Sequence, residues 1–488
     1  MKALGEIRSL ERNDQRLFLI ILALAFLVRL CVVPILGLHH PDELWQYLEP
    51  AYKLTTGHWV ISWPFRNEIR SWLVPVAITP AMWIGHVLDP QGMMHVYLPR
   101  AMMAALSLTI VWSAWKLGLR ISRAHGLMAA FLAAIWFEFV HLGPRTVAES
   151  ISTALIFPAV VLLAEEDRRK LFLAGLMLGL AVAVRLQYAP AAAIVAIGFT
   201  WGRWRLLPWV IAGGLSGLAI DGLIDFSMGQ VPFSWMVRNY HLNLTQLKSS
   251  EYGVGPWYQY PFILLYRWNF ASGAIIILAA LGARRFPLLA AVAVANIVFH
   301  SFVPHKEYRF VFLSSAIFIF LAAIGTVDAV QVPGKRRGLL TKAGYAFWLS
   351  ASAAVAMLPP ARGDWVGSND LLKTLRVAAK TPGTCGFALY QLKHPLSVAY
   401  TYYNRDTPIL GFKGPDAQAE FHANARRFNL VMTNSIWAWQ LGPDYRYQYC
   451  TKDHDSFLPY CLYRRPGACV AGPEDDHEIN RLIARYDE

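Results

Sequence analysis

Three clusters of ionisable residues, each beside an apolar run, hold most of the chemistry in this sequence. The first is His39-His40-Pro41-Asp42-Glu43-Leu44-Trp45-Gln46-Tyr47-Leu48-Glu49. Adjacent carboxylates where an apolar helix ends are expensive to keep and point to function. One of them suits the general base that takes a proton from an acceptor hydroxyl. A metal held with His39 or His40 is an alternative. So is a structural use, in which Pro41 and Asp42 start an amphipathic interfacial helix through Leu44, Tyr47 and Leu48. The second cluster runs from Trp63 to Ser71 and carries Arg66, Glu68 and Arg70. A guanidinium grips phosphate bidentately, whereas Arg66 reads better as part of an interfacial aromatic and cationic belt. The third is His300 followed by Pro304-His305-Lys306-Glu307-Tyr308-Arg309-Phe310. These ionisable side chains suit an anionic headgroup, with Lys306 and Arg309 toward phosphate, His305 as donor and Glu307 holding a cation in place. The structural alternative is a tight outer turn with snorkelling Lys and Arg. Arg145 with Glu149, and Arg185 with Gln187, are further cavity candidates. The segment Tyr252–Tyr260 has the glycines and aromatics of a folded lid. Its rings can stack on sugar or pack on lipid.

The elements that position these clusters follow from composition. Of 488 residues, 56% are hydrophobic and 16% charged, with a net charge of +13. A soluble chain carries about a quarter charged residues, so the balance excludes disorder and points to lipid. The cations fall between apolar runs, which favours a bilayer over nucleic acid as partner. No zinc-type cysteine spacing, Walker loop or dinucleotide fingerprint occurs. No metal and no cofactor is expected.

The run 17–37 follows Lys2, Arg8, Arg12 and Arg16 and reads as a retained first span rather than a cleaved signal. Further spans are expected near 97–118, 126–142, 147–164, 171–184, 188–201, 206–225, 260–281, 287–303, 308–330 and 343–358. The two at 171–184 and 188–201 are short. With alternating spans, the clusters Arg120/Arg123, Arg168–Lys170, Arg203/Arg205, Arg284/Arg285 and Lys335–Arg337 with Lys342 all fall on the side of the N-terminal cations. That side is cytoplasmic, and eleven spans place the C-terminus outside.

The expected architecture is an all-α multi-pass membrane domain over 1–358, with a first outer loop of interfacial helices at 39–96, followed by an extracytoplasmic α/β domain over 359–488. In the tail, strands are expected at Gly386–Leu389, Pro408–Phe412 and Leu430–Thr433. Cys385, Cys450, Cys461 and Cys469 all lie there. In an oxidising compartment they can form two disulfides, with three pairings open.

The pattern H-P-D-E-x-W-Q-x-x-E at 40–49 resembles the family 22 glycosyltransferases, which extend GPI anchors and N-glycan precursors from dolichyl-phosphate mannose. Ile69-Arg70-Ser71 is similar to the family's I-R-S. Tyr252-Gly253 with Pro256-Trp257 is similar to its Y-G-x-x-P-W, and His305-Lys306-Glu307 with Arg309-Phe310 to its H-K-E-x-R-F. Pro64 and Tyr308 depart from the pattern, since relatives often carry Glu at both positions. The resemblance covers residues 40 to 310 and implies the GT-C fold, with the active site at the outer face. It implies mannosyl transfer from a polyprenyl- or dolichyl-phosphate sugar to a lipid-linked or glycan hydroxyl; the compact loops and short N-terminus favour a bacterial inner membrane, with the endoplasmic reticulum as the alternative. Asp42 or Glu43 would be the base. Arg70, Arg185, His305, Lys306 and Arg309 would bind the donor phosphate. His40, Gln46, Glu49, Tyr252, Trp257 and Glu307 would contact substrate. A lipid-linked sugar transporter, or a GT-C enzyme for another sugar such as a lipid A-type modification, is the competing reading.

Overall fold

Apolar runs fold almost entirely as helix in the computed structural model, which describes residues 2–330, 337–392, 398–451, 458–472 and 476–486. Among these, five helices are long and apolar enough to cross a bilayer: Asn13–Val32, Met94–Leu119, Trp204–Ser227, Gln259–Ala283 and Tyr308–Val330. Leu73–Leu88, Arg123–Ile135, Ala148–Leu163, Leu186–Thr200 and Pro287–Ser301 are apolar but shorter. Length alone therefore does not carry the expected count of eleven spans. Of the predicted cytoplasmic cations, Lys335 and Arg336 lie outside the described residues.

The chain forms two compact units. One comprises Met1–Pro34, Glu68–Val74 and Arg100–Gly363; the other comprises Ile35–Asn67, Pro75–Pro99 and Asp364–Glu488. Most of the predicted first loop thus groups with the tail, whereas the stretch carrying Arg70 groups with the helices.

In the helical unit, the run expected at 126–142 is broken. Arg123–Ile135 ends at Trp136, which takes extended backbone (φ −62°, ψ 128°) before Phe137–Leu142 begins. A helix end leaves carbonyls without partners. Buried Arg29 supplies them, donating to Ala133 O at 2.9 Å and Ala134 O at 3.0 Å. Its remaining bonds go to Ser107 Oγ at 2.9 Å and Ala25 O at 3.0 Å.

The two short runs at 171–184 and 188–201 are two short helices, Arg168–Val184 and Ala189–Thr200. Asp167 caps the first through the Arg169 and Lys170 N–H groups at 2.7 and 3.2 Å. Arg185 occupies the extended junction between them (φ −139°, ψ 92°). Arg168–Val184 packs backbone to backbone on Leu207–Ser227. A Cβ on Gly213 would lie 1.9 Å from Phe172 O, and one on Gly175 2.0 Å from Val210 O. Small residues permit this approach along the first half of Leu207–Ser227.

The second unit holds a mixed five-stranded sheet, order β2-β1-β3-β5-β4. The strands are β1 Phe387–Tyr390, β2 Ile409–Phe412, β3 Leu430–Asn434, β4 Arg446–Cys450 and β5 Tyr460–Arg464. Strand β1 runs parallel to β2 and β3, with Phe387 opposite Ile409 and Leu430. Strand β5 is antiparallel to β3 and β4. The three strands expected from sequence are β1, β2 and β3. Ala388, Tyr390, Leu410, Phe412, Phe421 and Val431 lie in their core. The tail cysteines pair as Cys385–Cys469 and Cys450–Cys461, the latter joining directly opposed residues of β4 and β5.

Candidate active site

In the helical unit, two of the four motif segments, Tyr252–Trp257 and His305–Phe310, meet through polar contacts. Glu149 opens the helix Ala148–Leu163 and is buried. Its Oε1 lies 3.3 Å from Arg185 and 3.7 Å from Arg309, both also buried. Arg309 pairs in turn with Glu307 through Nε, and Glu307 Oε1 meets His305 Nε2 at 2.7 Å. His305 Nδ1 lies 3.0 Å from Gly253 O. A carbonyl and a carboxylate oxygen only accept, so both imidazole nitrogens must donate. His305 is therefore best described as an imidazolium, and the Glu307 bond accordingly raises its pKa above the ordinary histidine value.

The result is a chain, His305–Glu307–Arg309–Glu149–Arg185, in which three cations share two carboxylates. Arg185 and Arg309 both lie over the Phe310 ring, 4.6 and 5.2 Å from its centroid. Arg145, four residues before Glu149, is also fully buried. Such an excess of fixed positive charge suits an oxyanion that develops during reaction. Lys306 is engaged differently. Its ammonium donates to His300 O at 3.3 Å and Ser301 O at 2.8 Å, and also to Val303 O. It thereby caps the helix Pro287–Ser301 at the end where a cation is favoured. Burial lowers its pKa.

The Tyr252–Trp257 loop lies against the same turn. Gly255 N–H donates to Pro304 O at 3.0 Å, and the Tyr252 ring meets His305 edge-on at 6.3 Å. Gly253, at φ +109°, takes backbone that a side chain would strain, and this is what turns its carbonyl to His305. Tyr252 and Trp257 are exposed, at 66% and 72%.

Two buried carboxylates absent from the sequence-predicted site hold the Ile69-Arg70-Ser71 segment. Ser71 Oγ donates to Asp221, and Trp72 N–H donates to Asp225 Oδ1 at 2.9 Å. Trp235 Nε1 completes Asp221 at 3.2 Å. Arg70 itself is half-buried. A further unforeseen hub, buried Glu138, accepts from Trp136 Nε1 at 2.9 Å, Ser315 Oγ at 2.7 Å and Tyr308 Oη. Arg267 lies 3.7 Å from it and stacks over Tyr308. Tyr308 thus fixes the residue next to Arg309. Acids inside apolar runs were the visible signal for all three.

The first motif belongs to the second unit. Glu43–Leu48 forms a π-helical turn that passes directly into the helix Glu49–Thr56. Asp42 stands at its start, half-buried, and donates its N–H to His40 Nδ1 at 3.1 Å. Glu43 and Gln46 are buried. Glu49 is fully buried: Oε1 accepts from Val60 N at 2.8 Å and Tyr400 N at 2.9 Å, and Oε2 from Thr401 N at 2.9 Å and Thr401 Oγ1. Burial raises its pKa and these four donors pull it down, with burial dominant. Both oxygens of Glu49 are thus engaged in holding its own surroundings.

Among known proteins, GPI mannosyltransferase 3 of Drosophila melanogaster is 27% identical over 323 residues, which is 60% of this chain and 53% of the relative. Alpha-1,2-mannosyltransferase ALG9 of Saccharomyces cerevisiae is 24% identical over 330 residues, 62% of this chain and 57% of the relative. The chain thus spans a little over half the length of these relatives. The crystal structure of ArnT from Cupriavidus metallidurans bound to undecaprenyl phosphate matches with a TM-score of 0.60 at 13% identity, covering 93% of this chain and 99% of that one. Its apo form matches with a TM-score of 0.58 at 12% identity, over 95% and 98%. These likenesses establish a fold shared with ArnT. The model of the Alg9-like mannosyltransferase family matches residues 18–359, a stretch containing all four motif segments. By that match the chain belongs to the Alg9-like mannosyltransferase family.

Proposed function

We propose that this chain is a membrane mannosyltransferase that moves a mannosyl unit from a polyprenyl- or dolichyl-phosphate donor to a hydroxyl of a lipid-linked or glycan acceptor. The observation that carries the reading is the chain of cations from half-buried His305 to buried Arg185, joined by Glu307 and Glu149. Asp42 takes the acceptor proton, and the freed oxygen attacks the anomeric carbon. The bond from that carbon to phosphate breaks, and the leaving phosphate keeps the electron pair. The product configuration is inverted. A phosphate leaves as an anion, so the demand is for fixed cations, which Arg185, Arg309 and His305 meet, with Arg70 and Lys306 completing the pool. Between the two candidate bases, partial exposure favours Asp42 over the fully buried Glu43. His40, Gln46, Tyr252, Trp257 and Glu307 remain the proposed substrate contacts.

The names of the relatives support mannose as the sugar, and the lipid in the ArnT structure supports a polyprenyl phosphate as leaving group. We place the site and the tail on the extracytoplasmic side of an eleven-span protein. The distribution of basic clusters supports this side, as do two disulfides in the tail, which persist in oxidising compartments. Compact loops favour a bacterial inner membrane over the endoplasmic reticulum.

Purified protein incubated with radiolabelled polyprenyl-phosphate mannose and a membrane lipid extract should yield a labelled glycolipid. If labelled donor instead crosses a vesicle bilayer unchanged, the chain is a transporter and the enzymatic reading fails.

A further inference from the structure

Glu49 closes the first motif, yet both its oxygens are taken up by residues outside that motif. Two of its partners, Tyr400 and Thr401, lie about 350 positions away in the tail. They belong to the turn Tyr400–Tyr403, which ends at Asn404 in left-handed backbone (φ 48°). This turn is itself held from several sides within the second unit. Tyr52 Oη donates to Asn404 Oδ1 at 3.0 Å, and Asn404 Nδ2 to Pro90 O at 2.8 Å. His95 Nε2 donates to Thr401 O at 2.7 Å, and Arg376 donates to Tyr402 O and Gln91 O at 3.3 and 2.9 Å.

What Glu49 anchors is an uncommon element. Its own N–H closes the π-turn onto Leu44 O, so Glu49 is the last residue wound with the wider spacing. Such turns are rare and mostly single turns within α-helix, the form to which this one would relax if its anchor were released. Relaxation removes one residue from the turn and rotates the start of the helix by about 100°. Asp42 and Glu43 sit at that start. A carboxylate must lie within hydrogen-bond reach of the proton it takes, and a rotation of this size ends that reach.

We propose that the Tyr400–Asn404 turn of the tail holds the π-helical presentation of Asp42 through Glu49, making Glu49 and Thr401 positioning residues for the transfer. The role in transfer rests on the mannosyltransferase reading; the mechanical lock does not.

The test uses the full-length protein and Thr401→Val, which keeps the branched shape and the N–H but loses the hydroxyl bond to Glu49. Thr401→Ser restores that hydroxyl, and Glu49→Gln places an amide NH₂ against N–H donors. Turnover with radiolabelled polyprenyl-phosphate mannose is measured beside the thermal midpoint. Hydrogen exchange of the 43–49 amides is followed on the same samples. Thr401→Val should lower kcat about tenfold or more, leave the donor KM unchanged and speed exchange at 43–49. Thr401→Ser should recover most of the kcat, and Glu49→Gln should match or exceed the Thr401→Val defect. Wild-type kcat and wild-type exchange in Thr401→Val would overturn the proposal. So would kcat and KM worsening together, with exchange faster throughout the protein, because that is general destabilisation. If the wild-type protein transfers no label, the transferase reading falls, and exchange at 43–49 alone decides whether the lock exists.

Discussion

Arg309→Lys keeps a positive charge in the most connected position of the cation chain and should nevertheless cripple the proposed transfer. Arg309 uses separate nitrogens for two carboxylates, Nε toward Glu307 and Nη1 toward Glu149 at 3.7 Å. A guanidinium spans two such partners because its donors point in fixed, divergent directions; an ammonium is a single point. Lysine therefore keeps its charge near Glu149, whose 3.7 Å contact is an ion pair beyond hydrogen-bond distance, and loses the directed Nε hydrogen bond to Glu307. Losing one hydrogen bond to a charged group costs about 1.5–3 kcal/mol. Glu149 retains Arg185 at 3.3 Å and Glu307 retains His305 at 2.7 Å, so neither carboxylate is stranded. The full cost of breaking a buried pair, about 3–5 kcal/mol, therefore does not apply. At about 1.4 kcal/mol per tenfold, kcat/KM should fall about 10- to 150-fold. The assay is steady-state transfer from labelled polyprenyl-phosphate mannose, with the thermal midpoint recorded for each preparation. If Arg309→Lys retains kcat/KM within about twofold of wild type, the two-carboxylate bridge is irrelevant to transfer and the reasoning is wrong; about twofold is far below the cost of one such bond.

Three further outcomes are expected. Asp42→Asn should lower kcat by at least about a hundredfold, since a general base contributes about 10²–10⁴, while donor KM stays near wild type; if Glu43→Gln alone is inactive, the base is Glu43. The raised pKa of His305 means that its contribution to stability is complete below about pH 6.5, the unfolded value, and is lost as pH rises through the folded value. The thermal midpoint of wild type should therefore exceed that of His305→Gln most at low pH, and a gap that widens above neutrality contradicts the Glu307 pairing. A reporter active only in oxidising compartments, fused after Glu488, should be active; activity of a cytoplasmic reporter there instead would reverse the proposed topology.

The parts of the fold that were legible in the sequence are those with local causes. Strands β1–β3 are buried apolar runs, and they appear where expected. Strands β4 and β5 were missed because β4 reads Arg-Tyr-Gln-Tyr-Cys and is mostly exposed, so no buried run announces it. The short paired helices around Arg185 were visible, since an arginine interrupts the apolar run. The break at Trp136 was not, because neither proline nor glycine marks it and its cause, Arg29, is about a hundred residues away. The cation chain was half legible. Each member could be picked out as a charge beside or within an apolar run, but the order in which Glu149 and Glu307 join them is a three-dimensional fact. Glu49 was read as a substrate contact because the motif supplies a carboxylate and says nothing of its partners. Three of its four donors are backbone N–H groups, which every residue but proline carries and which leave no trace in sequence.

The bond set of Arg29 also bears on how the chain is made. The helix Asn13–Val32 enters the membrane early, carrying a charge whose insertion at mid-bilayer costs about 2.5–3.5 kcal/mol. The carbonyls of Ala133 and Ala134 that answer this charge are encoded more than a hundred residues later. At about 5–20 residues per second, the ribosome needs on the order of 5–20 seconds to deliver them. During that interval Arg29, near the end of its helix, can reach the headgroups along its own stem. Arrival of the broken helix then draws the guanidinium inward and fastens the first segment to the third. A nascent chain halted before residue 133 should therefore hold its first segment loosely, and one halted well after residue 142 should hold it fast. Arg29→Leu would erase that difference by removing the donors that reach Ala133 O and Ala134 O.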